Sequence, residues 1–159
     1  MHQCFVLLGS NIGDRLENLN NATNRIALIS SRISSQSSVY KTAAWGKTVQ
    51  QEFYNCVLQI ETTFNPELLL QTLLQIEIEM GRSRIQKWEP RIIDIDILYF
   101  DESVIESDTL KIPHPFLHQR RFTLEPLCEI APDFVHPVFN KTNAELLRIC
   151  NDNLSVIKI

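Results

Sequence analysis

The segment YNCVLQIETTFNPELLLQTLLQIEIEMG, residues 54–81, predicts a β-strand followed directly by an α-helix. Residues Tyr54–Thr62 alternate between apolar and polar side chains, which is the period of a strand that buries one face. Asn65 and Pro66 indicate a helix start, because Asn caps a first turn and Pro needs no N–H partner there. Gly81 ends the helical run, whose apolar positions are Leu69, Leu70, Leu73, Ile76 and Met80.

The same two periods predict further elements on both sides of this segment. We expect strands at Gln3–Leu8, Ile33–Lys41, Ile92–Phe100 and Leu154–Ile159, and helices after Asp14 and from Thr142 to about Cys150. The order β-α-β-β-α-β is typical of an α+β fold, and we predict a ferredoxin-like α/β/α sandwich with a mostly antiparallel sheet. Two long connections, 43–52 and 82–91, are expected to carry function.

Length and composition narrow the class of protein. The 159 residues predict one domain over residues 1–159, and 44% hydrophobic with 21% charged residues excludes a disordered chain. The net charge of −4 gives no basic field for nucleic acid, and the short apolar runs argue against a membrane span. We therefore expect a cytoplasmic protein without nucleic-acid or membrane partners. Its four cysteines form no CxxC pair and are expected to be reduced and buried.

The pair Asp94 and Asp96 is the strongest chemical signal in the sequence. Residues two apart in a strand point to the same face, so these carboxylates are neighbours while Ile93, Ile95 and Ile97 face the core. Like charges at this spacing repel each other, and a divalent cation relieves the repulsion. Oxygen ligands favour Mg²⁺, which binds one or two carboxylates together with substrate phosphates. The alternative is a solvated outer face of the sheet.

A basic segment leads directly into this pair. Residues 82–91 hold four of the fifteen basic residues: Arg82, Arg84, Lys87 and Arg91. Guanidinium groups match phosphate oxygens and stabilise charge in phosphoryl transfer, so the combination predicts a polyphosphate–Mg²⁺ substrate. The alternative is that the arginines form structural ion pairs with Asp94, Asp96, Glu77 and Glu79.

Two further groups of residues suit a ligand. His114 and Arg120 can reach a phosphate, or they can belong to a solvated surface turn. Asn55 is an amide in an otherwise strand-like run, and a planar heterocycle needs such an amide together with aromatic faces. Phe53, Trp45 and Phe122 are the candidate rings, although taken alone they are equally typical of a core.

Several motifs occur together and in a familiar order. They are Leu8-Gly-Ser-Asn11, Phe53-Tyr-Asn55, Gly81-Arg82-x-Arg84, Trp88-x-Pro-Arg91-x-x-Asp94-Ile-Asp96, Pro113-His114-Pro115 and Arg121-Phe122-x-Leu-x-Pro126-Leu. From the first strand to about Pro132, the chain resembles the 6-hydroxymethyl-7,8-dihydropterin pyrophosphokinase family. The resemblance implies a Mg²⁺-dependent enzyme of folate biosynthesis that transfers the terminal diphosphate of ATP to the pterin hydroxymethyl group, and we expect a monomer.

The resemblance also implies roles for individual residues. Asp94 and Asp96 would hold two Mg²⁺ ions that bridge the ATP phosphates, and Arg82 and Arg91 would stabilise the transferring diphosphate. The ATP side would be lined by Gln75, Glu77, Arg84, Lys87, Trp88, His114 and Arg120. The pterin would lie between Phe53 and Phe122, with its edge bound by Asn55 and by the backbone of Thr42, Ala43 and Trp45.

The chain departs from the family pattern near these motifs. Glu89 stands where Gly or Ala is usual, Ala44 replaces a common proline, and Lys87 stands in place of an arginine in a segment one residue shorter than in some members. These changes are expected to tune affinity, because the carboxylate pair and both arginines are intact.

Two other classes of function fit parts of the sequence. A ferredoxin-like module that binds RNA or a regulatory ligand accounts for the element order, but it lacks the RNP1 aromatic pattern and gives no reason for Asp94 and Asp96. A nucleotidyltransferase shares the carboxylate–Mg²⁺ chemistry but leaves AMP on its substrate. The identity of the product separates the two enzymes.

Overall fold

The computed structural model describes residues 1–44, 50–82 and 91–159. Its strands are β1 (His2–Ser10), β2 (Arg32–Gln36), β3 (Tyr40–Thr42), β4 (Phe53–Thr62), β5 (Asp94–Phe100), β6 (Ile105–Glu106), β7 (Lys111–Ile112) and β8 (Val156–Lys158). Its helices are α1 (Arg15–Ile29), α2 (Pro66–Glu79), α3 (Arg121–Ile130) and α4 (Asn143–Ile149), with a 3-10 turn at Leu117–Gln119. In these ranges no helix has the length and hydrophobicity to cross a bilayer.

One sheet carries helices on both of its faces. Its strand order is β5-β1-β4-β3-β8, β2 also pairs with β4, and every pairing is antiparallel. Alternate residues of β1 face opposite layers: Cys4, Val6 and Leu8 pack with α1 and α2, whereas Phe5 and Leu7 pack with α3 and α4. The expected α+β, ferredoxin-like α/β/α sandwich is confirmed.

The helix starts follow from local side-chain chemistry. Asp14 accepts from the Glu17 N–H at 3.0 Å, and Asn65 accepts from the Leu68 N–H at 2.8 Å. At α4 the Thr142 hydroxyl and the Glu145 carboxylate cap each other's backbone N–H groups. Each cap satisfies a donor that an isolated helix leaves without a partner, so these three starts were readable from the sequence.

Three predictions about the elements need correction. The strand expected at Ile33–Lys41 is divided into β2 and β3, because the Ser37 hydroxyl accepts from the Val57 N–H at 2.9 Å in place of a backbone carbonyl. The segment around Arg120 leads into a helix, since α3 begins at Arg121. The sequence did not indicate this helix, because Pro126 lies inside it and proline disfavours a helix interior. Of the four free thiols, Cys128 and Cys150 are partly exposed and only Cys4 and Cys56 are buried.

A buried histidine ring lies at the edge of the α3–α4 layer. His136 stacks on Phe139 with ring centroids 4.5 Å apart, and its Nδ1 accepts from the Val138 and Phe139 N–H groups at 3.2 and 3.3 Å. Burial lowers the pKa of His136 to about 4, with a smaller contribution from His118. The neutral ring is therefore the form that the fold holds.

This histidine predicts a loss of stability in acid. Its folded pKa lies below its ordinary value of 6.5, so the unfolded chain binds the extra proton first and stability falls as pH drops from 6.5 towards 4. We expect this ring to lower the free energy of unfolding by up to about 3 kcal/mol between pH 6.5 and pH 4, measured by urea unfolding at both pH values. His136→Phe should flatten the pH dependence. Phe139→Leu, which removes the stacked ring but no titratable group, should lower stability equally at both; a profile unchanged in His136→Phe contradicts the assignment.

Candidate active site

A cross-strand row of residues forms the floor of the candidate site. Gly9 in β1 pairs with Asn55 in β4 on one side and with Asp94 in β5 on the other. Paired residues of antiparallel strands point to the same face, which here is the face of Phe5 and Leu7. The sheet thus places the amide and the first carboxylate on one surface, about 10 Å apart across β1 at the usual strand spacing.

The carboxylate pair lies as the strand period requires. The side chains of Asp94 and Asp96 are 24% and 34% exposed, whereas Ile93, Ile95 and Ile97 are buried in the opposite layer. Partial burial and the charges of Asp94 and Glu77 raise the pKa of Asp96. A cation placed between the two carboxylates would lower this pKa again, because a nearby positive charge favours the ionised carboxylate. The pair therefore suits a divalent ion.

Two arginines converge on the first carboxylate. Arg82 lies 2.9 Å from one oxygen of Asp94, and Arg91 lies 2.7 Å from the other. Arg82 also pairs with Glu77. The structural ion pairs considered from the sequence are therefore present for Glu77 and Asp94, while Glu79 pairs instead with Arg25 on α1. Both oxygens of Asp94 are therefore paired with a guanidinium group.

Glu77 is placed beneath the site rather than on its open side. Its side chain is 2% exposed, and it accepts from the Ile95 N–H at 2.6 Å as well as from Arg82. Burial, followed by the charge of Asp94, raises its pKa to about 7, and Arg82 partly offsets this shift. Glu77 thus ties α2 to β5 and positions Arg82. Its neighbour Gln75 is exposed and donates to Glu79, away from the carboxylate pair.

One buried amide holds the ends of both long connections. The Asn11 side-chain Oδ1 accepts from the Arg91 backbone N–H at 2.7 Å, and the Asn11 backbone N–H donates to the Arg91 backbone carbonyl at 3.0 Å. Its side-chain nitrogen donates to Gln51 O and Gln50 Oε1 at 3.3 and 3.4 Å. Asn11 therefore fixes the backbone of Arg91 relative to the segment that precedes β4. The Leu8–Asn11 motif contains this residue, but no role for it could be predicted from the sequence.

Asn11→Ala is expected to reduce both stability and activity. The part-buried Arg91 N–H loses its acceptor, which costs about 1–3 kcal/mol of unfolding free energy. Misplacement of the Arg91 guanidinium lowers kcat/KM by about 10–100-fold. Asn20→Ala, on the exposed side of α1, is the matched control. Retained activity in Asn11→Ala at a temperature where the variant is folded contradicts a positioning role for this amide.

The groups assigned to a heterocycle lie at the β3–β4 side of the floor. Asn55 Nδ2 donates to the Thr42 hydroxyl at 2.6 Å, and both residues are buried. Phe53 shares their face and is half-buried. The backbone N–H of Ala43 donates to Ser155 O at 3.1 Å, so this donor is used within the fold. Trp45 lies outside the described residues.

His114 and Arg120 lie on the β5 side. The Nε2 atom of His114 is 3.9 Å from Asp96, and its Nδ1 accepts from the Phe116 N–H at 3.2 Å. Burial and then the charge of Arg120 lower the pKa of His114 to about 4, so the ring is neutral near pH 7. The Arg120 guanidinium lies 5.0 Å from the ring centre of Phe116 and 5.6 Å from that of Phe122. Arg120 thus links the predicted phosphate side to the predicted ring.

Comparison with known proteins shows which family this chain belongs to. The model of the family described as 7,8-dihydro-6-hydroxymethylpterin-pyrophosphokinase (HPPK) matches residues 5–132. The chain belongs to the HPPK family. The matched range includes most of β1, both long connections, the carboxylate pair and α3, so it contains every residue that the sequence assigned to the site.

Relatives in this family cover most of the chain. The 2-amino-4-hydroxy-6-hydroxymethyldihydropteridine pyrophosphokinase of Aquifex aeolicus is 41% identical over 141 residues, which are 89% of this chain and 88% of the relative. The protein of the same name from Synechocystis is 40% identical over 147 residues, covering 92% and 75%. The HPPK-DHPS structure of Plasmodium falciparum with pteroate has a TM-score of 0.74 at 18% identity, over 92% of this chain and 42% of that chain.

Four of the site residues expected in an HPPK protein lie outside the described ranges. They are Trp45, Arg84, Lys87 and Trp88, and Glu89 lies there too. Among the described residues, no group of three or more His, Cys, Asp or Glu side chains is arranged to hold a metal ion alone. A Mg²⁺ ion completed by substrate phosphates needs only the carboxylate pair.

Proposed function

We propose that this chain transfers the β,γ-diphosphate of ATP to the hydroxymethyl group of 6-hydroxymethyl-7,8-dihydropterin, giving AMP and the pterin diphosphate in folate biosynthesis. Family membership supports the reaction class. The observation that carries the proposal is the row formed by Asp94, Gly9 and Asn55, with Arg82 and Arg91 on Asp94. A phosphate-binding end and a heterocycle-binding end meet on one floor. Action by one domain, as a monomer in the cytoplasm, is part of the same proposal.

The reaction forms one bond and breaks one bond. The hydroxymethyl oxygen attacks the β-phosphorus, and the bond from that phosphorus to the oxygen bridging the α- and β-phosphates breaks. AMP leaves with the bridging oxygen, and the hydroxyl proton is released. Among the described residues, no side chain stands out as the base. Catalysis then rests on positioning and on stabilising the charge on the transferring group.

The two arginines are the principal groups for that charge. Both are paired with Asp94 in the ligand-free protein, and a bound polyphosphate offers them oxygen atoms of higher charge. We expect Arg82 and Arg91 to exchange Asp94 for phosphate oxygens when MgATP binds, which leaves the carboxylate free for a cation. Glu77 holds Arg82 from below during this exchange, because it is buried and also bound to the Ile95 N–H.

The carboxylate pair fits two Mg²⁺ ions. Asp94 and Asp96 share one face, and burial, followed by the charge of Asp94, raises the pKa of Asp96, which a bound cation would counteract. When bound, Mg²⁺ supplies charge neutralisation for the phosphate oxygens and a template for in-line attack. His114 is neutral and close to Asp96, so it can donate its Nε2 proton to a carboxylate or phosphate oxygen without adding charge.

The remaining assignments divide between the two substrates. For ATP we propose Arg84, Lys87, Trp88, His114 and Arg120 as direct contacts, with Glu77 as a positioning residue. Gln75 keeps this assignment only if its bond to Glu79 is exchanged for one to the nucleotide. For the pterin we propose stacking on Phe53 and Phe122, and hydrogen bonds to Asn55 and to the backbone of Thr42, Ala43 and Trp45. At Ala43 the carbonyl is the available group, since its N–H binds Ser155.

Product analysis tests the proposed reaction directly. The protein mixed with MgATP and 6-hydroxymethyl-7,8-dihydropterin should release AMP in amounts equal to the pterin diphosphate formed. Omission of the pterin, or chelation of Mg²⁺, should reduce AMP to background. ADP as the pterin-dependent product indicates an ordinary kinase, and free pyrophosphate indicates a nucleotidyltransferase; either result overturns the proposal.

A further inference from the structure

Gly9 occupies a place where a glycine is not required by backbone conformation. It lies inside β1 and pairs with strands on both sides, and among the glycines that the structure describes the positive φ angles occur at Gly13 and Gly81 instead. A glycine inside a strand costs conformational entropy and packs no side chain. Its presence at this position therefore calls for another physical reason, and the surrounding atoms supply one.

The reason is the space that Asn55 occupies. A Cβ atom built on Gly9 would lie 2.6 Å from Asn55 Oδ1, closer than non-bonded atoms approach, and 3.6 Å from the Phe53 ring. The Asn55 side chain thus leans over the main chain of β1, towards Asp94 on the far side of Gly9. Any side chain at position 9 displaces the amide.

The other end of the same amide is held by a hydroxyl. Asn55 Nδ2 donates to Thr42 Oγ1 at 2.6 Å, and both side chains are nearly inaccessible, at 3% and 2% exposure. With the hydroxyl accepting from the nitrogen, the amide lies with Oδ1 over Gly9. Among the contacts within residues 1–44, 50–82 and 91–159, the second N–H and the carbonyl oxygen have no further partner, so they are the groups that a ligand can bind.

We propose that Gly9 and the Thr42 side chain are positioning residues that fix the place and the orientation of the Asn55 amide for the pterin. Gly9 acts by leaving room, and Thr42 acts by accepting one N–H. An amide held in this way presents a donor beside an acceptor, which is complementary to a ring lactam with its own N–H beside C=O. The 4-oxo pyrimidine edge of a pterin has this arrangement. This inference rests on the proposed role of Asn55 in pterin binding.

Steady-state kinetics of matched variants test the inference. Gly9→Ala should raise KM for the pterin by about 10–100-fold while KM for MgATP stays within about threefold, because the displaced group lies on the pterin side. Thr42→Val, which removes the hydroxyl at constant shape, should act in the same direction. Thr42→Ser, which keeps it, should restore most of the affinity. Gly13→Ala adds the same methyl group at an exposed turn and serves as the control for a general loss of stability.

A double variant separates a specific clash from damage to the strand. In an Asn55→Ala background the added methyl group has space, so Gly9→Ala/Asn55→Ala should match Asn55→Ala in pterin KM and in melting temperature. The inference is wrong if Gly9→Ala is equally harmful in both backgrounds, or if it raises the KM of both substrates alike.

A measurement without substrate separates this inference from the proposed reaction. In the ligand-free protein, the Asn55 side-chain NH₂ resonances should shift in Gly9→Ala and in Thr42→Val, and should stay unchanged in Gly13→Ala. Shifts together with no pterin-dependent AMP mean that the positioning is correct and the proposed function is wrong. AMP formation with unshifted resonances means that the proposed function is correct and the positioning role of Gly9 and Thr42 is wrong.

Discussion

Asp94→Ala and Asp96→Ala are each expected to lower turnover by at least about 100–1,000-fold while the circular dichroism spectrum stays that of the native fold. Both carboxylates lie on the partly exposed side of β5, so neither supports the core. The two variants should differ in stability. Asp96 carries a raised pKa from burial and from repulsion by Asp94, so its removal relieves a cost, whereas Asp94→Ala breaks the ion pairs with Arg82 and Arg91.

The control is an aspartate outside the site. Asp108→Ala, in the exposed turn between β6 and β7, should change neither turnover nor Mg²⁺ binding. Titration calorimetry of MgATP provides a readout other than catalysis, and both site variants should bind it more weakly than Asp108→Ala does. Full activity in either site variant would falsify the assignment of the carboxylate pair to the metal.

Arg82→Ala is expected to reduce kcat by about 100–1,000-fold, the scale seen when one preorganised donor to a transition state is removed. Arg82→Lys should recover little of this loss, because an ammonium group lacks the planar fork of N–H donors with which a guanidinium binds phosphate oxygens. Arg25→Ala, which breaks the exposed pair with Glu79, is the matched control and should leave kcat unchanged.

The same variant should reveal the buried partner of Arg82. Without the guanidinium, Glu77 is a buried carboxylate whose folded pKa lies above its ordinary value of 4.5. A raised folded pKa means that stability falls as pH rises through the range between the two values, so Arg82→Ala should lose more stability at pH 8 than at pH 5. We expect Arg82→Ala to lower the free energy of unfolding by about 2–4 kcal/mol at pH 8, measured by urea unfolding.

A double variant distinguishes the two roles of Arg82. Arg82→Ala/Glu77→Gln removes the buried charge, so its stability should recover while its kcat stays low. Recovery of kcat in the double variant would mean that Arg82 acts only as a structural partner of Glu77.

Local signals explain why most elements could be predicted. The alternation in β4, the Asn65 cap of α2 and the capping box at Thr142 involve residues at most a few positions apart, and each is satisfied in the structure as the pattern requires. The sequence did not predict α3, since Pro126 is a helix breaker in isolation. Burial of Leu124 and Leu127 against the sheet offsets that preference.

In the candidate site, too, the features that depend on neighbouring residues could be predicted, and those that depend on distant residues could not. The strand period alone put Asp94 and Asp96 on one face, and the basic segment beside them indicated a phosphate. The sequence could not show that Glu77 is buried under Arg82. The Glu77 side chain is only 2% exposed because α2 packs on β5, which is a contact between distant parts of the chain. The sequence also left Gly9 and Asn11 without roles, since their partners Asn55 and Arg91 are 46 and 80 positions away along the chain.

The sequence by itself determined the element types, the shared face of the carboxylate pair and the resemblance to a pyrophosphokinase, because periodicity, caps and motifs act over short distances along the chain. The tertiary structure alone decided which strands are neighbours. Only when β1 lies between β4 and β5 does Gly9 stand between Asn55 and Asp94. Strand order follows from which faces bury the most apolar surface, and that free energy depends on all the layers at once.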